Sequence, residues 1–190
     1  SERFAGRGGR LRLLVFGGSL GARFLNHLLP KAISLLPSDS RPEIIHQCGF
    51  KAVDEVKALY AEAGVEAAVQ PFIEDMAAAY TWSDLVLCRA GATSVSEICS
   101  AGAASLLVPL VVKTTSHQLQ NALFMEQNGA SRCLRQDTLT PERLSAVLAS
   151  IDRAQLLSMA EAARKLSHSN AASAVADMIE SRADRTFRVS

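Results

Sequence analysis

The stretch LRLLVFGGSLGA at residues 11–22 decides the fold class of this 190-residue chain. An apolar run at 11–16 leads into a glycine-rich turn, and residues 22–36 then place leucine and isoleucine at helical spacing. The pattern predicts a strand, a tight turn and a helix in immediate succession.

The same unit recurs along the chain. Strands that alternate with helices pair in parallel through right-handed crossovers, and uninterrupted apolar strands indicate a sheet that is covered on both faces. We therefore expect an α/β fold with a doubly wound parallel sheet, followed by extra C-terminal helices between 152 and 181. Beyond the first unit, the predicted strands are 43–47, 66–70, 85–88, 105–108 and 131–134, and the predicted helices are 51–63, 95–101, 118–128 and 141–150.

The domain organisation follows from where these patterns start and stop. Residues 1–10 are rich in arginine and glycine and are predicted to form a linker, which is consistent with a further domain before it. Residues 11–181 form one predicted domain, long enough to bury a sizeable core, and 182–190 form a frayed tail.

Composition excludes several classes of protein. Twenty lysines and arginines balance nineteen aspartates and glutamates, so the net charge of +1 provides no field for binding nucleic acid through its phosphates. The longest apolar run, 101–112, is far short of the roughly 20 residues that cross a bilayer. No secretory signal pattern opens the chain, so we expect a cytosolic compartment.

The cysteines and the missing metal motifs indicate a site without a metal ion. Cys48, Cys88, Cys99 and Cys133 form no C-x-x-C pair, so we expect reduced and mostly buried thiols. The chain also lacks the D-x-D and H-E-x-x-H patterns.

The first turn, at 17–22, is a candidate binding site because ligands of open α/β sheets bind at the carboxyl ends of the strands. Its N–H groups and the following helix dipole favour an anion. The alternative is a tight turn that merely needs glycine for a positive φ. The glycine spacing matches neither G-x-G-x-x-G nor a Walker loop.

The second turn, at 89–97, also joins a strand to a helix. Its small residues would let a phosphate approach the backbone, with the Ser94 hydroxyl as a further donor. Ser94 and Glu97 also fit the S-x-x-E capping box, in which both side chains only complete the helix start. Alternatively, Glu97 accepts two ribose hydroxyls, and the site then holds a nucleotide.

The third candidate is the connection 109–117 with the amide side chains behind it. Gln118, Gln120 and Asn121 suit sugar hydroxyls, although they also suit a solvated surface. His117 is a base, a sugar contact or an ordinary exposed residue. We expect structural roles for the three other histidines, which have no carboxylate or cysteine at ligand spacing: His27, His46 and His168.

Taken together, these turns resemble one enzyme family. The segments 17–23, 72–80, 88–97, 108–109 and 117–122 occur in the order and spacing of the MurG family, the undecaprenyldiphospho-muramoylpentapeptide β-N-acetylglucosaminyltransferases. The likeness covers about residues 10–180 and concerns the second, donor-binding half of a two-domain GT-B architecture. It implies a Rossmann-like domain that binds UDP-GlcNAc, with the N-terminal acceptor domain absent from this chain.

The resemblance also implies roles for individual residues. The nucleotide's ribose would bind Glu97, while the uracil edge would pair with the Ile73 backbone. Gly18, Ser19, Ala92, Thr93 and Ser94 would contact the diphosphate, Phe72 and Met76 would pack around the base, and His117, Gln118 and Asn121 would hold the sugar.

The implied activity is an inverting, metal-independent transfer of GlcNAc from UDP-GlcNAc to lipid I, which makes lipid II for peptidoglycan and needs no cofactor. The base that activates the acceptor, and most of the membrane contact, would lie on the absent domain. The isolated chain would thus be inactive, and the whole protein would sit peripherally on the cytoplasmic face of the bacterial inner membrane.

Two alternatives come from other functional classes. A non-catalytic module that senses a UDP-sugar would use the same turns. A nicotinamide-dependent dehydrogenase is disfavoured because the first turn has the wrong glycine spacing, and a polar loop at 39–43 replaces the expected acid.

Overall fold

The computed structural model describes residues 7–18, 22–110 and 117–167. Its strands form one parallel sheet of six in the order β3-β2-β1-β4-β5-β6, so the predicted doubly wound α/β fold is confirmed. The strands are β1 (Arg12–Phe16), β2 (Glu43–Gln47), β3 (Ala68–Gln70), β4 (Leu85–Cys88), β5 (Ser105–Leu107) and β6 (Ser131–Cys133). The helices are α1 (Arg23–Ser34), α2 (Val53–Glu62), α3 (Met76–Trp82), α4 (Ala92–Ala101), α5 (His117–Gln127), α6 (Pro141–Ser150) and α7 (Arg153–Lys165).

Two apolar layers bury the two faces of the sheet. Because side chains alternate along a strand, Leu13 and Val15 of β1 pack on one layer with α1, whereas Leu14 and Phe16 pack on the other with Tyr80. The four residues of β4 are all buried, as expected for a central strand with helices on both sides. The sheet is therefore packed on both faces where β1 and β4 end.

Several predicted boundaries were wrong. Helix α4 begins at Ala92, three residues before the predicted start at 95, and α2 is shorter than the predicted 51–63. Helix α3 was not predicted because seven residues with three alanines give too little periodicity. The prediction of helices from 152 onwards is confirmed for α7; the remainder, with the tail 182–190, lies outside the described residues.

Residues 7–10 of the predicted linker are attached to the domain. The Arg7 guanidinium lies 2.7 Å from the carboxylate of Asp84, which is buried immediately before β4. Arg153 lies 3.6 Å from the same carboxylate and donates to the carbonyls of Gly9 and Arg10. These contacts lie where β1 and β4 begin, at the opposite end of the strands from the glycine turns.

The cysteines behave as predicted. Cys48, Cys88 and Cys99 are buried free thiols, and Cys133 is partly buried. Burial raises the pKa of the Cys88 thiol, which keeps it protonated. Among the described residues, no helix is both long and apolar enough to cross a bilayer.

Candidate functional site

A cleft of about 730 Å³ opens at the carboxyl ends of β1 and β4. These strands are neighbours in space, yet β2 and β3 extend the sheet on one side while β5 and β6 extend it on the other. The cleft therefore lies at the point where the strand order reverses, which is where open α/β sheets bind ligands. Its walls include the turns that follow both strands.

The first wall is the turn after β1 and the start of α1. Gly18 has a φ of 88°, in the left-handed region that favours glycine. Ala22, the residue before the helix, provides no side-chain cap, and the first turn of α1 contains no acidic residue. Arg23, the first helical residue, lines the cleft. The start of α1, where the helix dipole is positive, thus borders the cleft together with a cation.

The second wall is the turn after β4 and the start of α4. Gly91 precedes the helix in an extended conformation and provides no side-chain cap. Ala92, Thr93 and Ser94 form the first turn and line the cleft. The capping-box alternative is wrong. Helix α4 begins too early for Ser94 to precede it, and Glu97 lies in the second helical turn of α4.

The contacts of Glu97 indicate a role in ligand binding. Its side chain is exposed and lines the cleft, and its Oε2 accepts a hydrogen bond of 3.2 Å from the Tyr80 hydroxyl. Tyr80 itself is buried, with its ring edge-on to Phe16 at 6.1 Å between centroids. The carboxylate is thereby held by one oxygen and retains acceptor capacity for a donor in the cleft.

Apolar side chains form one end of the cleft. Phe72 and Met76 line it, and Phe72 stacks on the exposed ring of Phe50 with 6.4 Å between centroids. Ile73 packs in the core, so any contact to a ligand from this residue would come from its backbone.

The other end of the cleft is formed by polar groups of α5 and the residues before it. Gln118 lines the cleft, and its Oε1 accepts the N–H of Leu110 at 2.9 Å. The Asn121 amide donates instead to the carbonyl of Ala90, 3.0 Å away, in the second turn. His117 is exposed and is not part of the wall.

The sequence matches a known family over residues 12–180, the glycosyltransferase family 28 C-terminal domain. The chain belongs to this family. Two curated relatives are named UDP-N-acetylglucosamine--N-acetylmuramyl-(pentapeptide) pyrophosphoryl-undecaprenol N-acetylglucosamine transferase. The protein from Methylibium petroleiphilum is 55% identical over 94% of the chain and 49% of its own length, and that from Azoarcus sp. 50% identical over 97% and 52%.

Solved structures agree with the family assignment. The crystal structure of Acinetobacter baumannii MurG superposes with a TM-score of 0.83 at 42% identity, covering 90% of this chain and 52% of that one. The calicheamicin glycosyltransferase CalG4, at 18% identity and a TM-score of 0.65, shares the fold. The chain thus spans about half the length of the relatives it matches.

In this family 28 domain, the cleft brings together most of the predicted site residues. The side chains or backbone that line it belong to Gly18, Phe72, Met76, Ala92, Thr93, Ser94, Glu97 and Gln118. Three others do not line it, namely Ile73, His117 and Asn121, and Ser19 lies outside the described residues.

Sequence reasoning missed Arg89 as a site residue of the family 28 domain. It follows β4 directly and lines the cleft, donates to the Val108 carbonyl at 3.1 Å, and lies 5.9 Å from the centroid of the Phe24 ring. Burial lowers the pKa of the Arg89 guanidinium, which nevertheless stays charged. A cation directly after a central strand was the signal that could have identified it.

The buried histidine has the structural role that was predicted. His46 in β2 contacts the Tyr60 hydroxyl through Nδ1 at 3.0 Å and Asn26 Oδ1 through Nε2 at 3.1 Å. Burial lowers the pKa of the imidazole from 6.5 to about 4, so the ring is neutral at neutral pH. The Nε2 of His27 lies 2.9 Å from a carboxylate oxygen of Glu55 on α2, and His168 lies outside the described residues.

Proposed function

We propose that this chain is the donor-binding domain of a transferase that moves GlcNAc from UDP-GlcNAc to lipid I and so makes lipid II. One observation carries the proposal. Two helix N-termini without side-chain caps, those of α1 and α4, meet at one cleft beside an acceptor carboxylate. A diphosphate joined to a ribose matches this pairing of anion site and hydroxyl acceptor. The names of the curated relatives supply the sugar and the acceptor.

The nucleotide would lie across the cleft in one defined orientation. The diphosphate would bind the N–H groups of both turns, through Gly18 and Ser19 on one side and 92–94 on the other. Glu97 would accept the ribose hydroxyls, held in place by Tyr80. The uracil would then reach the apolar end, near Phe72, Met76 and the Ile73 backbone.

The sugar would lie at the opposite end, near α5. Gln118 is placed for this role because it lines the cleft. Asn121 and His117 do not line the cleft, and the Asn121 amide holds the carbonyl of Ala90, so Gln118 would make the first contact with the sugar.

The arrangement favours departure of UDP without a divalent cation. When the acceptor hydroxyl attacks the anomeric carbon from the opposite face, the bond to the diphosphate breaks and negative charge grows on its oxygens. Preoriented N–H groups, the two helix dipoles and the guanidinium of Arg89 would stabilise that charge. Inversion follows from a single displacement. The group that accepts the hydroxyl proton would lie in the half of the relatives that this chain does not match.

The undecaprenol in the relatives' names implies a membrane substrate. We therefore place the whole protein peripherally on the cytoplasmic face of the bacterial inner membrane, with the acceptor bound mainly outside this chain.

Calorimetry on the chain tests donor binding. We expect UDP and UDP-GlcNAc to bind equally well in EDTA and in magnesium, and NADH not to bind. Binding that appears only with magnesium would refute the metal-independent mechanism, and a preference for NADH would refute the proposal altogether.

Transfer of labelled GlcNAc to a soluble lipid I analogue tests the activity. The protein at the full length of its relatives should transfer the sugar in EDTA, while this chain alone should not. A full-length protein that binds UDP-GlcNAc but never transfers the sugar would favour the sensing module instead.

A further inference from the structure

A buried glutamine at the end of β2 contacts the first glycine turn. Gln47 is 4% exposed and pairs with Phe16 across the two strands, so its side chain lies beside the turn that follows β1. Its Nε2 donates to the carbonyl of Gly18 at 3.0 Å, and the residue also lines the cleft. A buried amide is costly unless it is hydrogen-bonded, and this bond joins a strand to a turn 29 residues away.

The residues on both sides of Gln47 are fixed to α1. His46 contacts Asn26 Oδ1, and the Asn26 amide donates to the carbonyl of Cys48 at 3.0 Å. Asn26 lies in the first turns of α1 and is itself buried. The end of β2, the glycine turn and the start of α1 are thus connected by three side chains, and Gln47 has little freedom to move away from Gly18.

We propose that Gln47 is a positioning residue for the anion held between Gly18 and the start of α1. A carbonyl oxygen carries partial negative charge, and glycine at a positive φ can rotate its peptide group at little cost. The hydrogen bond from Gln47 holds the Gly18 carbonyl, which prevents that oxygen from facing the anion. The inference rests on the proposed function, since it takes the diphosphate of UDP as the anion.

The test distinguishes the contribution of the phosphates to binding from the contribution of the nucleoside. Gln47→Met keeps the length of the side chain but removes the donor, and Gln47→Glu replaces the donor with a negative charge. The dissociation constants of UDP and of uridine are measured for each variant, by calorimetry and NMR titration respectively, alongside its melting temperature. Gln70→Met is the matched control, because Gln70 is in register with Gln47 at the end of β3 but is exposed and outside the cleft.

We expect Gln47→Met to weaken the binding of UDP about tenfold, because one neutral hydrogen bond is lost. The dissociation constant of uridine should change less than twofold. Gln47→Glu should weaken UDP further, and Gln70→Met should leave both ligands unchanged. Equal losses for UDP and uridine, or an unchanged UDP affinity in a folded Gln47 variant, would overturn the inference while leaving the proposed function intact. If the unmodified chain binds neither UDP nor UDP-GlcNAc, the proposed function fails and the inference fails with it.

Discussion

The helices that follow the turns after β1 and β4 differ from helices elsewhere in the chain in how their first N–H groups are satisfied. Helix α7 starts with a complete capping box, in which Asp152 accepts the N–H of Gln155 at 2.8 Å and Gln155 accepts the N–H of Asp152 in return. Helix α6 is capped by Thr140, the residue before it, whose hydroxyl accepts the N–H of Arg143. Helices α1 and α4 have neither a side-chain cap nor an acidic residue in the first turn.

The comparison extends to helix α2, which also lacks a side-chain cap but has Asp54 and Glu55 in its first turn. Helix α1 has the opposite charge there, because Arg23 places a cation at the positive end of its own dipole. The two helices that follow the turns after β1 and β4 therefore give up stability that α2, α6 and α7 obtain. A functional site explains the difference, since an anionic ligand would satisfy the same N–H groups.

The largest expected effect comes from giving α4 the cap it lacks. Gly91→Asp fits the backbone, which is extended at this residue, and a Cβ there meets no atom within 4 Å. The carboxylate should stabilise the free protein by roughly 0.5–1 kcal/mol, seen as a higher melting temperature. It should also weaken the binding of UDP by about 3–4 kcal/mol, roughly 100- to 1,000-fold, because the added carboxylate repels the diphosphate.

Gly91→Ala is the control for this experiment, because it adds the Cβ without a cap or a charge. If Gly91→Asp stabilises the protein and still binds UDP normally, the start of α4 is not an anion site.

Glu97 provides the next largest effect. Glu97→Ala should weaken UDP by about 1.5–3 kcal/mol, or roughly 10- to 150-fold, through the loss of charged hydrogen bonds to the ribose. Its melting temperature should hardly change, since Glu97 is exposed and does not cap α4. Calorimetry with UDP and 2′-deoxy-UDP makes the test specific: the variant should lose most of the preference for UDP. A preserved preference would show that Glu97 does not bind the ribose.

The sequence was sufficient for the sheet and for most of the cleft, because apolar runs that end in glycine mark the central strands. It was insufficient where a role depends on a contact between distant residues. Tyr80 supports Glu97 across 17 positions, and Gln47 holds Gly18 across 29. The capping-box interpretation of Ser94 failed for a local reason: small residues before it extend α4 to Ala92, and the motif has meaning only once the first helical residue is known.

A cap away from the cleft should affect stability alone. Asp152→Ala removes the side-chain acceptor of the capping box of α7, which takes the N–H of Gln155, and should lower the free energy of unfolding by about 1 kcal/mol in urea. The dissociation constant of UDP should stay the same, because α7 does not line the cleft. A coupled loss of UDP affinity would mean that the start of α7 also contributes to the site.

The smallest expected effect concerns the stability of variants at Arg23 and Arg153, the first residues of α1 and α7. Arg153 begins α7 but contacts Asp84 and the Gly9 carbonyl, whereas Arg23 has no ion pair within the part of the chain that the structure describes. Arg23→Gln should therefore raise the free energy of unfolding by about 0.3–1 kcal/mol at low salt while weakening UDP a few-fold. Arg153→Gln should instead lower the free energy of unfolding and leave UDP affinity unchanged. Urea titrations at low and high salt check the cause, since screening should remove the gain in Arg23→Gln. If Arg23→Gln is less stable than the unmodified chain at low salt, the positive end of α1 is not strained by its own cation.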